Sequence, residues 1–391
     1  MKHTKSKALA VLIFLGWLLC SAVQAQAPPR YKVDPFWAKD LPNNWMLGHA
    51  EGLVVDKDDH IWVLDHTNTM DHPTDHSDLG LAQKPPISEC CIAAPQVIEF
   101  DANGYVLRAW GGLGYSPDWP EAVHGFWVDK MENVWVSGSH APDRAVLKFS
   151  SDGKLLLKIG QFTGQGGRSE PPHRPEFAQP NNQDTALLGG VCGIVVDDEA
   201  DEVYLADGTI NKRVVVYDSN TGEFKRGWGA YGIPLSEIDN FKNPAKNGYD
   251  PTALPSKQFR YLESIRISND GLVYVSDRGD NRFQVFTKQG KFVKEFLVAR
   301  ETLTFPGTTT GFDFSRDPDQ KYLLVADGSN NVIRILDRKD GLLVSTFGHT
   351  GGNAGQFNVA QNLALDSHGN VYVSETKYNN RIQKFVLDKD K

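Results

Sequence analysis

One short phrase recurs six times along the chain: an aliphatic residue, an aromatic, another aliphatic, then Asp or a small residue. It reads Ile61-Trp62-Val63, Val134-Trp135-Val136, Val203-Tyr204-Leu205, Val273-Tyr274-Val275, the looser Tyr322-Leu323-Leu324-Val325, and Val371-Tyr372-Val373. Before each lies a second apolar run ending near Asp, such as Gly52-Leu53-Val54-Val55-Asp56, and after it comes a third, such as Arg282-Phe283-Gln284-Val285-Phe286. Short alternating strands repeated at this period mean stacked supersecondary units. The expected fold is all-β: a six-bladed β-propeller, with each blade a four-stranded antiparallel sheet.

The expected blades are His49–Trp110, His124–Ile159, Val191–Trp228, Glu263–Phe296, Thr310–Phe347 and a last one from Gln361 to Val386. The last blade lacks its outer strand. Arg30–Asp34 precedes blade 1 and belongs to no other blade, so it is expected to supply that strand and close the ring, leaving no open edge. Blade 1 carries a long insertion after its second strand. The segments Gln161–Gly190 and Gly229–Tyr261, rich in Pro, Asn and Gly, are expected to lie over one face as inert covering or as a substrate lid.

Residues 1–25 read as a secretory signal: Lys2, Lys5 and Lys7, then an apolar run from Ala8 to Cys20, then a cleavage site after Ala25. The run is too short for a good transmembrane span. A single propeller, residues 26–391, is therefore expected in the periplasm or outside the cell, as a monomer. The formal charge of −8 becomes more negative once the three signal lysines are removed, which argues against nucleic acid as a partner. Cys90, Cys91 and Cys192 remain. The adjacent pair forms a vicinal disulfide, or both stay thiols, or one pairs with Cys192.

Aligning the blades on the repeated phrase exposes one position, five residues before the Asp or its counterpart that ends each inner strand. The series is Glu51, His124, Cys192, Glu263, Thr310, Gln361. Val or Ile would be ordinary there, so this is a polar ring around one mouth of the channel. The loops after the second strands add His66, His72 and His76, then His140 and Asp143, Thr209, Asp277 and Arg278, and Tyr378. Three His within one loop, interleaved with Asp71 and Asp75, suit a metal, and equally a polar loop that happens to contain His. Asp207, Asp277 and Asp327 recur at equivalent points, which suggests that they hold loop amides; Asp277 also stands among the candidate ligand-binding groups with Glu51, Cys192 and His140.

At Val123-His124-Gly125, Asp207-Gly208-Thr209-Ile210-Asn211-Lys212-Arg213, Asp277-Arg278-Gly279-Asp280-Asn281-Arg282 and Gln356-Phe357-Asn358, the chain resembles NHL-repeat propellers. Among them it looks most like the peptidyl-α-hydroxyglycine α-amidating lyases and their secreted bacterial relatives. That resemblance implies a zinc ion held by three histidines on alternate blades, a catalytic tyrosine, two arginines and a supporting calcium ion. The histidine positions fall on His124, Glu263 and Gln361, and the tyrosine position on Thr209. The arginines fall on Arg278 and His66, and the calcium aspartate on Asn362. A set of His, Glu and Gln holds zinc or another divalent transition metal well only if His66, His72 or His76 joins it. Asn in place of Asp weakens calcium binding. The expected activity is a lyase or hydrolase with altered chemistry, acting on a small molecule or a peptide terminus in the channel, with Arg278, His66 and Thr209 as catalytic groups. The alternative is a non-catalytic propeller that binds a ligand or a protein.

Overall fold

The structure, a computed structural model, describes residues 28–67, 81, 88–139, 143–161, 180–240, 249–376 and 379–388. The proposed signal, His72, His76, His140 and Tyr378 lie outside them. Six four-stranded antiparallel sheets form the blades. Their inner strands are His49–Val55, Val123–Val128, Val191–Asp197, Leu262–Ile267, Phe312–Phe314 and Ala360–Leu365. Each packs on the next, and the last packs on the first, so the ring closes. Tyr31–Asp34 pairs with Ile382–Leu387, Tyr31 opposite Leu387 and Asp34 opposite Lys384, and completes blade 6 as expected. Among the described residues no helix is long and apolar enough to cross a membrane.

The repeated phrase has a local physical cause. Its first and third residues point between blades, where six apolar clusters fill the interfaces between neighbours; Val54, Phe126 and Val136 lie in one of them. Its aromatic residue is fully buried in Trp62 and Trp135. Burying a side chain of that size contributes roughly 2–3 kcal/mol. In blades 1, 2 and 6 its polar edge reaches the Asp that ends the inner strand: Trp62 Nε1 donates to Asp56 at 2.8 Å, Trp135 Nε1 to Asp129 at 3.1 Å, and the Tyr372 hydroxyl to Asp366 at 3.2 Å. The same carboxylates accept turn amides, as Asp129 does from Met131 and Asn133. One Asp therefore ties a hairpin turn to the aromatic behind it.

The acid that ends the second strand does a different job. Asp207 accepts the Gly189 amide at 2.6 Å, Asn211 Nδ2 at 2.8 Å and Arg213 Nε at 2.8 Å. Asp277 accepts the Arg260 and Tyr261 amides and Arg282 Nε, Asp327 accepts Arg334 Nε, and Glu375 accepts Arg381 Nε. This clasp of acid and arginine is structural in each blade that carries it. Asp277 is fully buried and its oxygens are committed to these donors, which corrects its place among the ligand-binding candidates. The clasp also anchors the inter-blade segments. Arg213 donates to the carbonyls of Asn182, Asp184 and Leu187, and Arg282 to those of Ser256 and Gln258. Those stretches are tied to the blades at these points.

Blade 2 has no acid at this point, and blade 1 has the acid without the arginine. Gln96 stands where the arginine would, and its side-chain oxygen is taken by Trp119 Nε1 at 2.5 Å. Asp65 is left fully buried, and among the described residues only the Gly48 amide approaches its carboxylate. Burial, reinforced by the charge of Glu51, pushes its pKa well above the usual carboxylate range. A raised folded pKa means that stability is full below the unfolded value and is lost as pH rises through the folded one. Asp65→Asn removes this loss. Denaturant titrations are expected to show no gain for the variant near pH 3, and a gain of about 1–3 kcal/mol at pH 8. Equal stability at both pH values would contradict an unpaired buried carboxyl.

Candidate functional site

The inner strands carry a β-bulge where the sequence places the polar ring. The ladder passes from Ala50 to Gly52, from Val191 to Gly193, from Leu262 to Ser264 and from Ala360 to Asn362, skipping Glu51, Cys192, Glu263 and Gln361; in blade 2 it passes from Val123 to Phe126, skipping His124. A bulged residue is unpaired and its side chain is re-aimed. All six ring positions, Glu51, His124, Cys192, Glu263, Thr310 and Gln361, line one channel cavity together with Asn362. Glycine next to the bulge lets neighbouring strands close in. A Cβ on Gly193 would lie 2.9 Å from the Ser264 Cα and the Ile265 nitrogen.

Glu263 is the hub. Its Oε1 accepts His124 Nε2 at 3.0 Å and Gln361 Nε2 at 2.7 Å, and its Oε2 lies 3.2 Å from Arg278 Nε as an ion pair without an aligned hydrogen bond. Residues from blades 2, 4 and 6 therefore meet at one carboxylate. Glu51 forms a second node, with Oε2 3.4 Å from His124 Nδ1 and Oε1 3.7 Å from His49 Nδ1 and 4.0 Å from His66 Nδ1. Cys192 Sγ and Thr209 Oγ1 are 3.2 Å apart.

Burial alone would raise both glutamates. The facing imidazoles of His124 and His49 hold Glu51 below the ordinary range, and Arg278 and His124 do the same for Glu263. Burial would lower His124, yet the facing Cys192 and Glu263 hold it well above the usual imidazole value. Arg278 lies between two rings, 4.3 Å from the centroid of Tyr261 and 4.8 Å from that of Phe305, an arrangement that favours a cation.

Several of these groups were not singled out in the sequence: His49, Tyr261 and Phe305 at the mouth, and Arg266 deeper in the channel. The first two lie two residues before a ring position, and Arg266 interrupts the aliphatic strand Ser264-Ile265-Arg266-Ile267, which is the signal that marks it.

His124, Cys192 and Glu263 each offer one ligand atom, and these atoms lie within 4.8 Å of one another. Imidazole, thiolate and carboxylate are the zinc donor types, so this trio fits a zinc-class ion with Cys192 in the place foreseen for a blade 1 histidine. His66 sits on Glu51 instead. Gln361 donates its amide nitrogen to Glu263, and the Asn362 oxygen accepts its neighbour Leu363's amide at 2.9 Å. Cys90 and Cys91 are joined in a disulfide, and Cys192 is a buried thiol.

No family model matches the chain. Human NHL repeat-containing protein 3 is 28% identical over 236 residues, covering 59% of this chain and 55% of that protein. The mouse protein of the same name is 29% identical over 249 residues, covering 62% and 58%. The chain thus spans just over half the length of the curated relatives it matches. A Bacteroides thetaiotaomicron structural genomics protein of unknown function superposes with a TM-score of 0.51 at 13% identity, over 88% of this chain and 70% of that one. The clasp of acid and arginine, the six closed blades and these likenesses agree: the chain is a six-bladed β-propeller of the NHL-repeat type.

Proposed function

We propose that the channel mouth is a reaction centre of lyase or hydrolase type, acting on a small molecule or peptide terminus that carries an anionic group. The observation that carries this reading is the convergence of His124, Cys192 and Glu263 from three inner strands, with Arg278 beside them. A divalent zinc-class ion bound by the three would supply Lewis-acid polarisation or an activated water. Glu51 faces Nδ1 of His124 and so orients the ring with Nε2 toward the centre, the usual task of a carboxylate behind a ligating histidine. Arg278, held flat between Tyr261 and Phe305, presents a fixed positive charge to the substrate anion. Export from the cytoplasm belongs to the same reading, and is supported by the basic and apolar leader and by the disulfide of Cys90 and Cys91.

The test is metal content by plasma mass spectrometry, on the mature protein and on His124→Ala, after dialysis against a weak chelator. Near-stoichiometric transition metal that disappears in the variant is expected. A metal-free protein, or equal metal in both, would overturn the metal centre. It would favour a ligand- or partner-binding ring whose polar centre is complete in itself, as the mutual pairing of Glu263, His124, Gln361 and Arg278 allows.

A further inference from the structure

Three residues beyond Glu263 on the same inner strand, Arg266 points into the channel. It is 6% exposed and lines the same chamber as Ser264, Thr310 and Asn362. Its Nη1 donates to the Ile265 carbonyl at 2.9 Å and, at 3.5 Å, to Ser264 Oγ. Nε and Nη2 have no acceptor among the described residues, and neither does the guanidinium have a carboxylate within ion-pair distance. The rings of Trp127 and Phe312 lie 5.0 and 6.0 Å from it.

The carboxylate nearest in effect is Asp313, and it is already spent. Arg316 Nη2 binds it at 2.8 Å and the Leu365 amide at 2.9 Å. Two cations therefore share one anion, and a buried positive charge is left over. Burial brings the Arg266 pKa down to about 10 against the pull of Asp313. An uncompensated buried charge is costly unless a counter-charge joins it. At the mouth, Glu51 and Glu263 are engaged by His124 and Arg278 and do not serve Arg266.

The resemblance to the amidating lyases implies a calcium ion at the position of Asn362. The residues present do not fit it. Asn362 is neutral, its oxygen already accepts the Leu363 amide, and a cation lines the same chamber. We propose that this chamber is an anion site: the free edge of the Arg266 guanidinium takes a small inorganic anion of the chloride class and excludes calcium. On its deep side the chamber presents a buried guanidinium with free N–H donors and no carboxylate aimed at it, while Glu51 and Glu263 toward the mouth are matched by His124 and Arg278, so the deep side selects an anion.

The test is thermal unfolding of the chelator-treated protein at constant ionic strength, with sodium gluconate exchanged stepwise for sodium chloride. Working without transition metal separates the outcome from that of the metal centre at the mouth. The melting midpoint is expected to rise saturably with chloride, following the logarithmic law for a ligand that binds only the folded state. Calcium gluconate is expected to give no saturable rise, and Arg266→Met to abolish the chloride response. No response in the unchanged protein, an undiminished one in Arg266→Met, or saturable stabilisation by calcium would each overturn the proposal. Should Arg266→Met not fold, crystals of the unchanged protein grown in bromide decide it: an anomalous peak at the guanidinium supports the site, and its absence refutes it.

Discussion

Arg213→Met is expected to destabilise the protein by about 3–5 kcal/mol, the cost of breaking a fully buried ion pair from one side. The side chains of Arg213 and Asp207 are both 0% exposed, so Asp207 would be stranded without water to replace its partner. The carbonyls of Asn182, Asp184 and Leu187 lose their donor in the same step, and the segment leading into blade 3 loses its anchor. Methionine fills the volume of the stem, which keeps the loss electrostatic rather than a cavity effect. The clasp predicts a graded series. Arg282, also 0% exposed and bound to Asp277, should behave like Arg213. Arg334, 16% exposed, should lose less, and Arg381, 28% exposed, least, because water reaches both. Urea titrations of the four methionine variants measure the order. Equal losses across the series would mean that burial does not set the strength of the clasp.

The same clasp shows what the sequence could and could not reveal. The blades were legible because most repeat the same demands: apolar residues between sheets, an aromatic in the middle of the second strand, and, in all but blade 2, an acid at the end of that strand. The closing strand was legible because blade 6 ends one strand short. The polar ring was legible because the bulge recurs at a fixed distance from the Asp, so that one aligned column enters the channel. Residues outside that column were not. Phe305 arrives from an inter-blade loop, and Arg266 lies deeper on a strand where an aliphatic is the rule. Asp277 reads in the sequence both as a holder of loop amides, which the Arg260 and Tyr261 amides match, and as a ligand-binding group; the role of Asn362 could not be read. The anchoring of the inter-blade segments was not legible, because a carbonyl that accepts from arginine leaves no mark in the sequence.

At the mouth, Glu263→Gln keeps shape and hydrogen-bonding capacity and removes one charge. Two buried cationic groups, His124 and Arg278, then face each other across a neutral amide. The expected cost is again about 3–5 kcal/mol, and the double variant Glu263→Gln/Arg278→Met should recover much of it by removing the stranded guanidinium. The cycle also separates the two readings of the site. A centre that needs Glu263 as a metal ligand loses its metal in the single variant and does not regain it in the double, even as stability returns. A ring held only by its own charges shows no metal in any variant, with stability alone following the charge count. Denaturant titration and metal content, measured on the same preparations, give both readouts. If the double variant is no more stable than the single, the 3.2 Å approach of Arg278 to Glu263 is not the interaction that balances the charge of the mouth.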